Sequence, residues 1–275
     1  MRIAIIPARG GSKRIPRKNI REFCGQPIIA YSIQAALESG LFNTVMVSTD
    51  DTEIAEIAQI YGAQVPFWRS PKNSSDFAST ADVLLEVLEQ YRTQGQEGVL
   101  GHDGSREHDV FREHDASREH DVPREHDVSR EHDVSRKHDI SRICDFEQFC
   151  CIYPTAPFVT ADKLRQGMSL LGEQADYVLP IVQYSFNPQR SVVIRDNYVH
   201  IQYPELYMMR SQDLEPIYHD CGQFYCAKTS AFLREKTLLG EKTAPLILPE
   251  SEVQDMDTLE DWRLAEVKWQ CAFRG

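Results

Sequence analysis

Residues 3 to 8, Ile-Ala-Ile-Ile-Pro-Ala, are apolar without a break and run straight into a turn with two glycines and five cations, Arg9, Lys13, Arg14, Arg17 and Lys18. An apolar run of this length with no alternation reads as a strand buried on both faces, the environment of a parallel sheet. A parallel neighbour cannot be reached by a tight hairpin, so the chain must continue through crossover helices. The fold is therefore constrained by its first ten residues.

The following segments supply the crossovers. Pro27 to Ser39 carries the apolar spacing of a largely buried helix, stopped by Gly40. A second strand is predicted over 44–49, then a helix to Tyr61 closed by Gly62, with Asp50 and Glu53 spaced as a capping pair. Further strands are predicted over 64–68, 149–153, 177–182 and 223–227, and helices from Thr80 to Tyr91 and from beyond Thr160 to Leu171. The C-terminal stretch reads as a strand entering a helix capped by Asp257 and Glu260. This order predicts an α/β fold, a three-layer α/β/α sandwich on a mostly parallel sheet, as one domain over residues 1–275. Residues 184–220 change character to aromatic, proline-containing and short β-like runs, which predicts an excursion that covers a ligand or meets a second subunit.

One segment stands outside that pattern. Residues 105–140 are six near-identical hexapeptides, from SREHDV to SRKHDI, within an insertion spanning 98–145. A period of six matches neither helix nor strand, and one apolar residue per unit cannot bury a core. The expectation is a solvated, disordered loop. Seven of the nine histidines lie in or just before it, and on such a tether they would capture a metal only opportunistically.

Composition narrows the partners. The formal net charge is −12, of which the repeats contribute four charges, so the remainder is acidic too. That argues against nucleic acid or an anionic membrane surface as the main partner. No run approaches the roughly 18 to 20 apolar residues of a membrane span, and a cytoplasmic location is expected. Seven cysteines without CxxC spacing indicate neither a disulfide framework nor a zinc site.

A basic, glycine-containing turn in an acidic protein points to a small anion. In open α/β sheets, ligands bind outside the carboxyl ends of the strands, where this turn falls. It is neither a GxxxxGK[ST] nor a GxGxxG loop. Asp255 and Asp257, two apart in an extended segment, would project to one side and could share a hard cation such as magnesium. Polyphosphate, magnesium and cations together describe nucleotidyl transfer.

The motifs IPARGGSKRIPRKN, VSTDD (47–51), SSDFAST (74–80), YPTAPF (153–158) and QDMDT (254–258) resemble, in order, the blocks of the sialic-acid-type cytidylyltransferases. These enzymes couple CTP to nine-carbon 2-keto sugar acids. The stretches 209–227 and 248–266 are similar to the pseudaminic acid branch in particular; neuraminic and legionaminic acids are the alternative acceptors. The resemblance implies a nucleotide-diphospho-sugar transferase-like fold, magnesium as cofactor, CTP and a nonulosonic acid as partners, and a homodimer. It implies that Arg9, Gly11, Ser12, Lys13 and Lys18 meet the nucleotide, with Ala8 and Asn19 nearer the nucleoside and Ser79 and Thr80 enclosing it. Tyr153, Thr155, Gln223 and Tyr225 would line the sugar side, Asp255 and Asp257 would hold the metal, and Arg9, Lys18 and Asp257 would carry catalysis. Cys221 and Cys226 depart from the branch, which has a small residue and a large aromatic there. A different class, a scaffold that recruits a partner through the repeats, would require the catalytic residues to be dispensable.

Overall fold

The computed structural model describes residues 1–100 and 146–273. The repeats and their histidines, and with them the expectation of a disordered loop, lie outside the described residues.

Six strands form the path of the main sheet. Strand β1 (Arg2–Pro7) is followed by a two-residue hairpin, β2 (Glu22–Phe23) with β3 (Gln26–Pro27), and then by helix α1 (Ile28–Ser39), β4 (Thr44–Ser48) and α2 (Thr52–Ile60). Helix α3 (Thr80–Leu100), β5 (Gln148–Ile152), α4 (Ala161–Leu170) and β6 (Tyr177–Gln183) come next. After β6 the chain leaves the sheet as β7 (Val192–Arg195), β8 (Tyr198–Ile201) and the short α5 (Pro204–Tyr207). It returns through β9 (Tyr218–Asp220), β10 (Phe224–Lys228), α6 (Thr229–Glu235), β11 (Thr243–Ile247) and α7 (Leu259–Phe273).

The strand order is β11-β6-β10-β5-β1-β4, with β9 pairing the end of β6. β1 is parallel to both β4 and β5, and β6 is parallel to β11; β10 alone along this path runs against its neighbours. Ile3 through Ile6 are fully buried, as the apolar run requires. Their side chains alternate between two layers. Ala4, Ile6 and Ala8 join Val45, Val47 and Cys150 in a core with Ile29, Ile33 and Ala36 of α1. Ile3, Ile5 and Phe149 lie in the other layer, where the Phe149 ring meets Phe232 of α6 at 5.0 Å. Each fully buried isoleucine contributes about 1.5–3 kcal/mol, so β1 anchors both layers.

Several local expectations shift. The strand predicted over 64–68 is a single parallel bridge between Gln64 and Met46, because Pro66 has no N–H to extend the ladder. The cap of α2 is Asp51, whose side chain accepts from the Ile54 amide, rather than Asp50. No strand forms before α7, and its cap is Thr258 with Asp261: the Thr258 hydroxyl accepts from the Asp261 amide at 3.2 Å, and Asp261 accepts from the Thr258 amide at 2.8 Å. The helix begins at Leu259, one residue later than the expected cap requires, which puts Thr258 rather than Asp257 at the cap and Asp261 rather than Glu260 three residues on. The chain leaves the sheet after β6 and rejoins it at Tyr218, so the last three residues of the expected 184–220 excursion, β9, pair with β6. Among the described residues, no helix is long and apolar enough to cross a membrane.

Candidate active site

The carboxyl ends of β5, β1 and β4 lie side by side, and the segments leaving them surround a cavity of about 440 Å³. From β1 come Arg9, Ser12, Lys13, Arg14, Lys18 and Asn19; from β5, Tyr153 and Thr155; from the approach to α3, Ser79 and Thr80. Asp257 reaches it from the turn before α7. The sequence places these residues up to 248 positions apart, and the parallel order brings them to one rim.

The basic turn is held as a shaped object. The Ala8 amide donates to the Ser48 carbonyl at 2.9 Å, continuing the β1–β4 ladder, and the Gly10 amide donates to Asp50 Oδ1 at 3.0 Å. Buried Asn19 donates through Nδ2 to the Arg9 carbonyl at 2.9 Å, closing the turn on itself. Lys18 Nζ donates to the Met256 carbonyl at 2.7 Å and lies 3.9 Å from Asp257 Oδ1. Lys18 thus joins the turn to the acidic segment 238 residues later.

Five cations line the cavity against two carboxylates. The fifth, Arg69, was not singled out by the sequence: it is a lone arginine just past the segment read as a strand. Its guanidinium is buried, donating through Nε to Ser48 Oγ at 3.1 Å and through Nη2 to the Ser48 carbonyl. Burial pushes its pKa down to about 10, so it remains a cation at neutral pH. Asp76, also missed, bridges two of the others, with Arg9 Nη1 at 2.7 Å and Lys13 Nζ at 2.5 Å. These contacts hold the Asp76 carboxyl below the usual carboxylate range. Asp257 accepts from Arg14 at 2.5 Å. A cavity this rich in cations, at the carboxyl ends of parallel strands, is built for a multiply charged anion.

Not every expected residue faces the cavity. Ala8 is fully buried beneath the turn, and Gly11 and Asp255 lie outside the lining. Gln223 and Tyr225 sit behind Tyr153: the Gln223 carbonyl accepts from the Tyr153 amide at 2.8 Å, and the Tyr225 and Tyr153 rings are 5.4 Å apart. The Tyr225 hydroxyl donates to Asp220 Oδ2 at 2.6 Å, and burial, first among several causes, pushes its pKa up. Gln223 Oε1 is buried with no hydrogen-bond partner among the described residues. His219, beside Asp220, packs its ring at a tilt against Tyr184 and is not part of the cavity. Cys221 and Cys226 are both buried, and Cys226 Sγ lies 3.6 Å from Cys150 across the sheet.

For magnesium, the donor set is suitable but partial. Asp257 presents a hard carboxylate to the cavity, Asp255 is exposed beside it, and the described residues hold no group of three metal-ligating side chains. Magnesium is commonly held by one or two carboxylates with phosphate oxygens completing the shell, a mode in which Asp257 would supply the protein ligand that faces the cavity.

Residues 3–107 match the family model described as cytidylyltransferase. The chain is also 33% identical over 98% of its length, and 96% of the relative's, to the pseudaminic acid cytidylyltransferase of Campylobacter jejuni. The chain belongs to the cytidylyltransferase family. A second relative, the CMP-N,N'-diacetyllegionaminic acid synthase of Legionella pneumophila, is 31% identical over 96% of this chain and 94% of that one. The fold is shared with a CMP:2-keto-3-deoxy-manno-octonic acid synthetase solved with CTP, at a TM-score of 0.60 and 14% identity over 100% of this chain and 99% of that one. As a cytidylyltransferase the protein is a nucleotidyltransferase. Apart from Arg69, Asn73 and Val83, the residues lining the cation-rich cavity lie within the segments that the motif blocks occupy.

Proposed function

We propose that the protein transfers CMP from CTP to the anomeric hydroxyl of a nonulosonic acid, pseudaminic acid first, releasing pyrophosphate and making an activated sugar for surface glycans in the cytoplasm. The observation that carries this reading is the cavity in which Arg9, Lys13, Arg14, Lys18 and Arg69 face two carboxylates. The acceptor hydroxyl attacks the α-phosphorus and releases its proton to water, the bond from the α-phosphorus to the bridging oxygen of the β-phosphate breaks, and the charge that grows on the leaving pyrophosphate is met by the turn cations. Arg9 and Lys13 exchange Asp76 for phosphate oxygens. Lys18, fixed by the Met256 carbonyl, holds its charge at a set position. Asn19 fixes the nucleoside side, and Ser79 and Thr80 enclose it. Magnesium, when held by Asp257 and Asp255 with the phosphates, supplies further charge neutralisation. Tyr153 and Thr155 line the acceptor side, backed by Gln223 and Tyr225.

The acceptor assignment follows the relatives' names, and the relative named for legionaminic acid makes that acid the second candidate. We further propose a homodimer through the excursion, where Phe186, Ile194, Tyr198, Val199 and Met208 are 91%, 76%, 72%, 68% and 86% exposed. Apolar surface so concentrated marks an interaction site. Pyrophosphate release with CTP and magnesium, compared across pseudaminic, legionaminic and neuraminic acids, tests the function. Preference for pseudaminic acid supports it; CTP binding without turnover of any acid overturns the acceptor assignment.

A further inference from the structure

Of the five cations in the turn, four face the cavity and Arg17 does not. Its guanidinium is turned to the far side, onto the segment that follows β4. Nη1 donates to Asp51 Oδ2 at 2.5 Å, Nη2 donates to Asp51 Oδ1 at 2.9 Å, and Nη2 also reaches Glu53. Two parallel bonds to one carboxylate form the fork that only arginine makes, and they fix direction as well as distance. Asp51 is itself immobilised, since the same Oδ1 accepts from the Ile54 amide at 3.1 Å as the cap of α2.

The backbone of Arg17 explains what the fork is for. Its φ and ψ are 55° and 29°, the left-handed region, which costs a residue with a Cβ and persists only where the surroundings hold it. In that conformation its carbonyl accepts from the Ile20 and Arg21 amides, both at 3.0 Å, and starts the single helical turn Lys18–Ile20. That turn delivers Lys18 to the Met256 carbonyl and Asn19 to the Arg9 carbonyl.

We propose that Arg17 is a positioning residue that touches no phosphate: clamped to Asp51 and Glu53, it holds the left-handed turn that places Lys18 and Asn19 in the nucleotide cavity. The proposal rests on the reading of that cavity as a CTP site. Mutual stabilisation of the two charges agrees with it, since the Arg17 fork holds the Asp51 carboxyl below its ordinary range.

The test is a double-mutant cycle on the full chain. Arg17→Ala removes the fork; Asp51→Asn removes the charge yet keeps an oxygen able to cap α2, so it tests the clamp even if Arg17→Ala folds poorly. CTP binding is measured by calorimetry, kcat and KM by pyrophosphate release, and folding by Tm. Each single variant is expected to lower kcat/KM for CTP by roughly 100-fold, the effect of about 1 Å of misplacement, and the double variant to lose no more than the worse single. Arg17→Lys should fail to restore the rate, because an ammonium cannot span the fork. If Asp51→Asn is as active as wild type, or the two losses multiply, or Arg17→Lys is fully active, Arg17 acts on the phosphates as a point charge and the proposal is overturned. If wild type does not bind CTP, the site reading fails and the proposal with it. If wild type binds CTP and the cycle is additive, only the proposal fails.

Discussion

Replacing Gly10 by alanine measures how tightly the basic turn is pressed against its support. A methyl carbon at Gly10 would lie 2.5 Å from Asp51 Oδ2 and 3.1 Å from Asp51 Cβ and Cγ. Reaching the 3.4 Å at which ordinary contact begins requires a shift of about 0.9 Å. Asp51 is a poor candidate to move, being forked by Arg17 and bonded to the Ile54 amide. The turn must move instead, carrying Arg9 and Ser12 with it. Overpacking of this kind costs about 1–3 kcal/mol. At about 2–4 °C per kcal/mol for a domain of this size, Tm should fall by roughly 2–12 °C. A displacement near 1 Å at a site that works by positioning should lower kcat/KM for CTP by about 100-fold. Gly11 is the control: a methyl there meets nothing within 4 Å, so Gly11→Ala should keep its Tm and change at most the KM for CTP. Differential scanning fluorimetry and pyrophosphate release read both quantities. Wild-type Tm and turnover in Gly10→Ala would refute the reasoning, because the turn would then be free to slide off Asp51.

Asp76→Asn should lower the KM for CTP severalfold without lowering kcat, since the carboxylate that occupies Arg9 and Lys13 is removed; a raised KM in initial-rate kinetics would contradict this. Asp257→Asn should fold normally, because the Asp257 contribution to the α7 start is its backbone amide to Asp261. It should lose about 100-fold or more of magnesium-dependent kcat, in line with other single electrostatic deletions at charged transition states, and a wild-type rate would remove Asp257 from the site. Asp51 has its pKa lowered by the Arg17 fork, so its contribution to stability is complete above the ordinary carboxylate range and is lost as pH falls through the lowered value. The stability gap between wild type and Asp51→Asn in urea titrations should accordingly shrink on acidification; a gap constant from neutral to strongly acid pH would contradict it. Ile194→Asp, on an exposed hairpin position, should convert the expected dimer to a monomer by light scattering with Tm of the monomer fold unaffected, and an unchanged mass would move the interface elsewhere.

The strands and helices of the sheet were legible from sequence because their signals are local: an unbroken apolar run for β1, apolar spacing and Gly40 for α1, Thr160 before α4. The helix caps that shifted did so where two neighbouring residues offer the same chemistry. Asp50 and Asp51 can both cap a helix, and Asp257 and Thr258 likewise; geometry assigned Asp51 and Thr258 to capping, Asp50 to the Gly10 amide and Asp257 to the cavity. Motif order pointed to Arg9, Lys13, Lys18 and Asp257, which the structure places on the cavity, yet charge alone could not separate the cation that turns away from those that line it. Arg17 looks outward because a fork of two acids lies at the end of the adjacent strand, and Arg69 looks inward because Ser48 of that strand receives it. The sequence by itself determined the α/β alternation, the basic turn after the first strand and the family. Only the tertiary structure decided which charges face one another, because that depends on β5, β1 and β4 ending side by side, a parallel register that pairs Ile3 with Thr44 on one side and with Phe149, far along the chain, on the other.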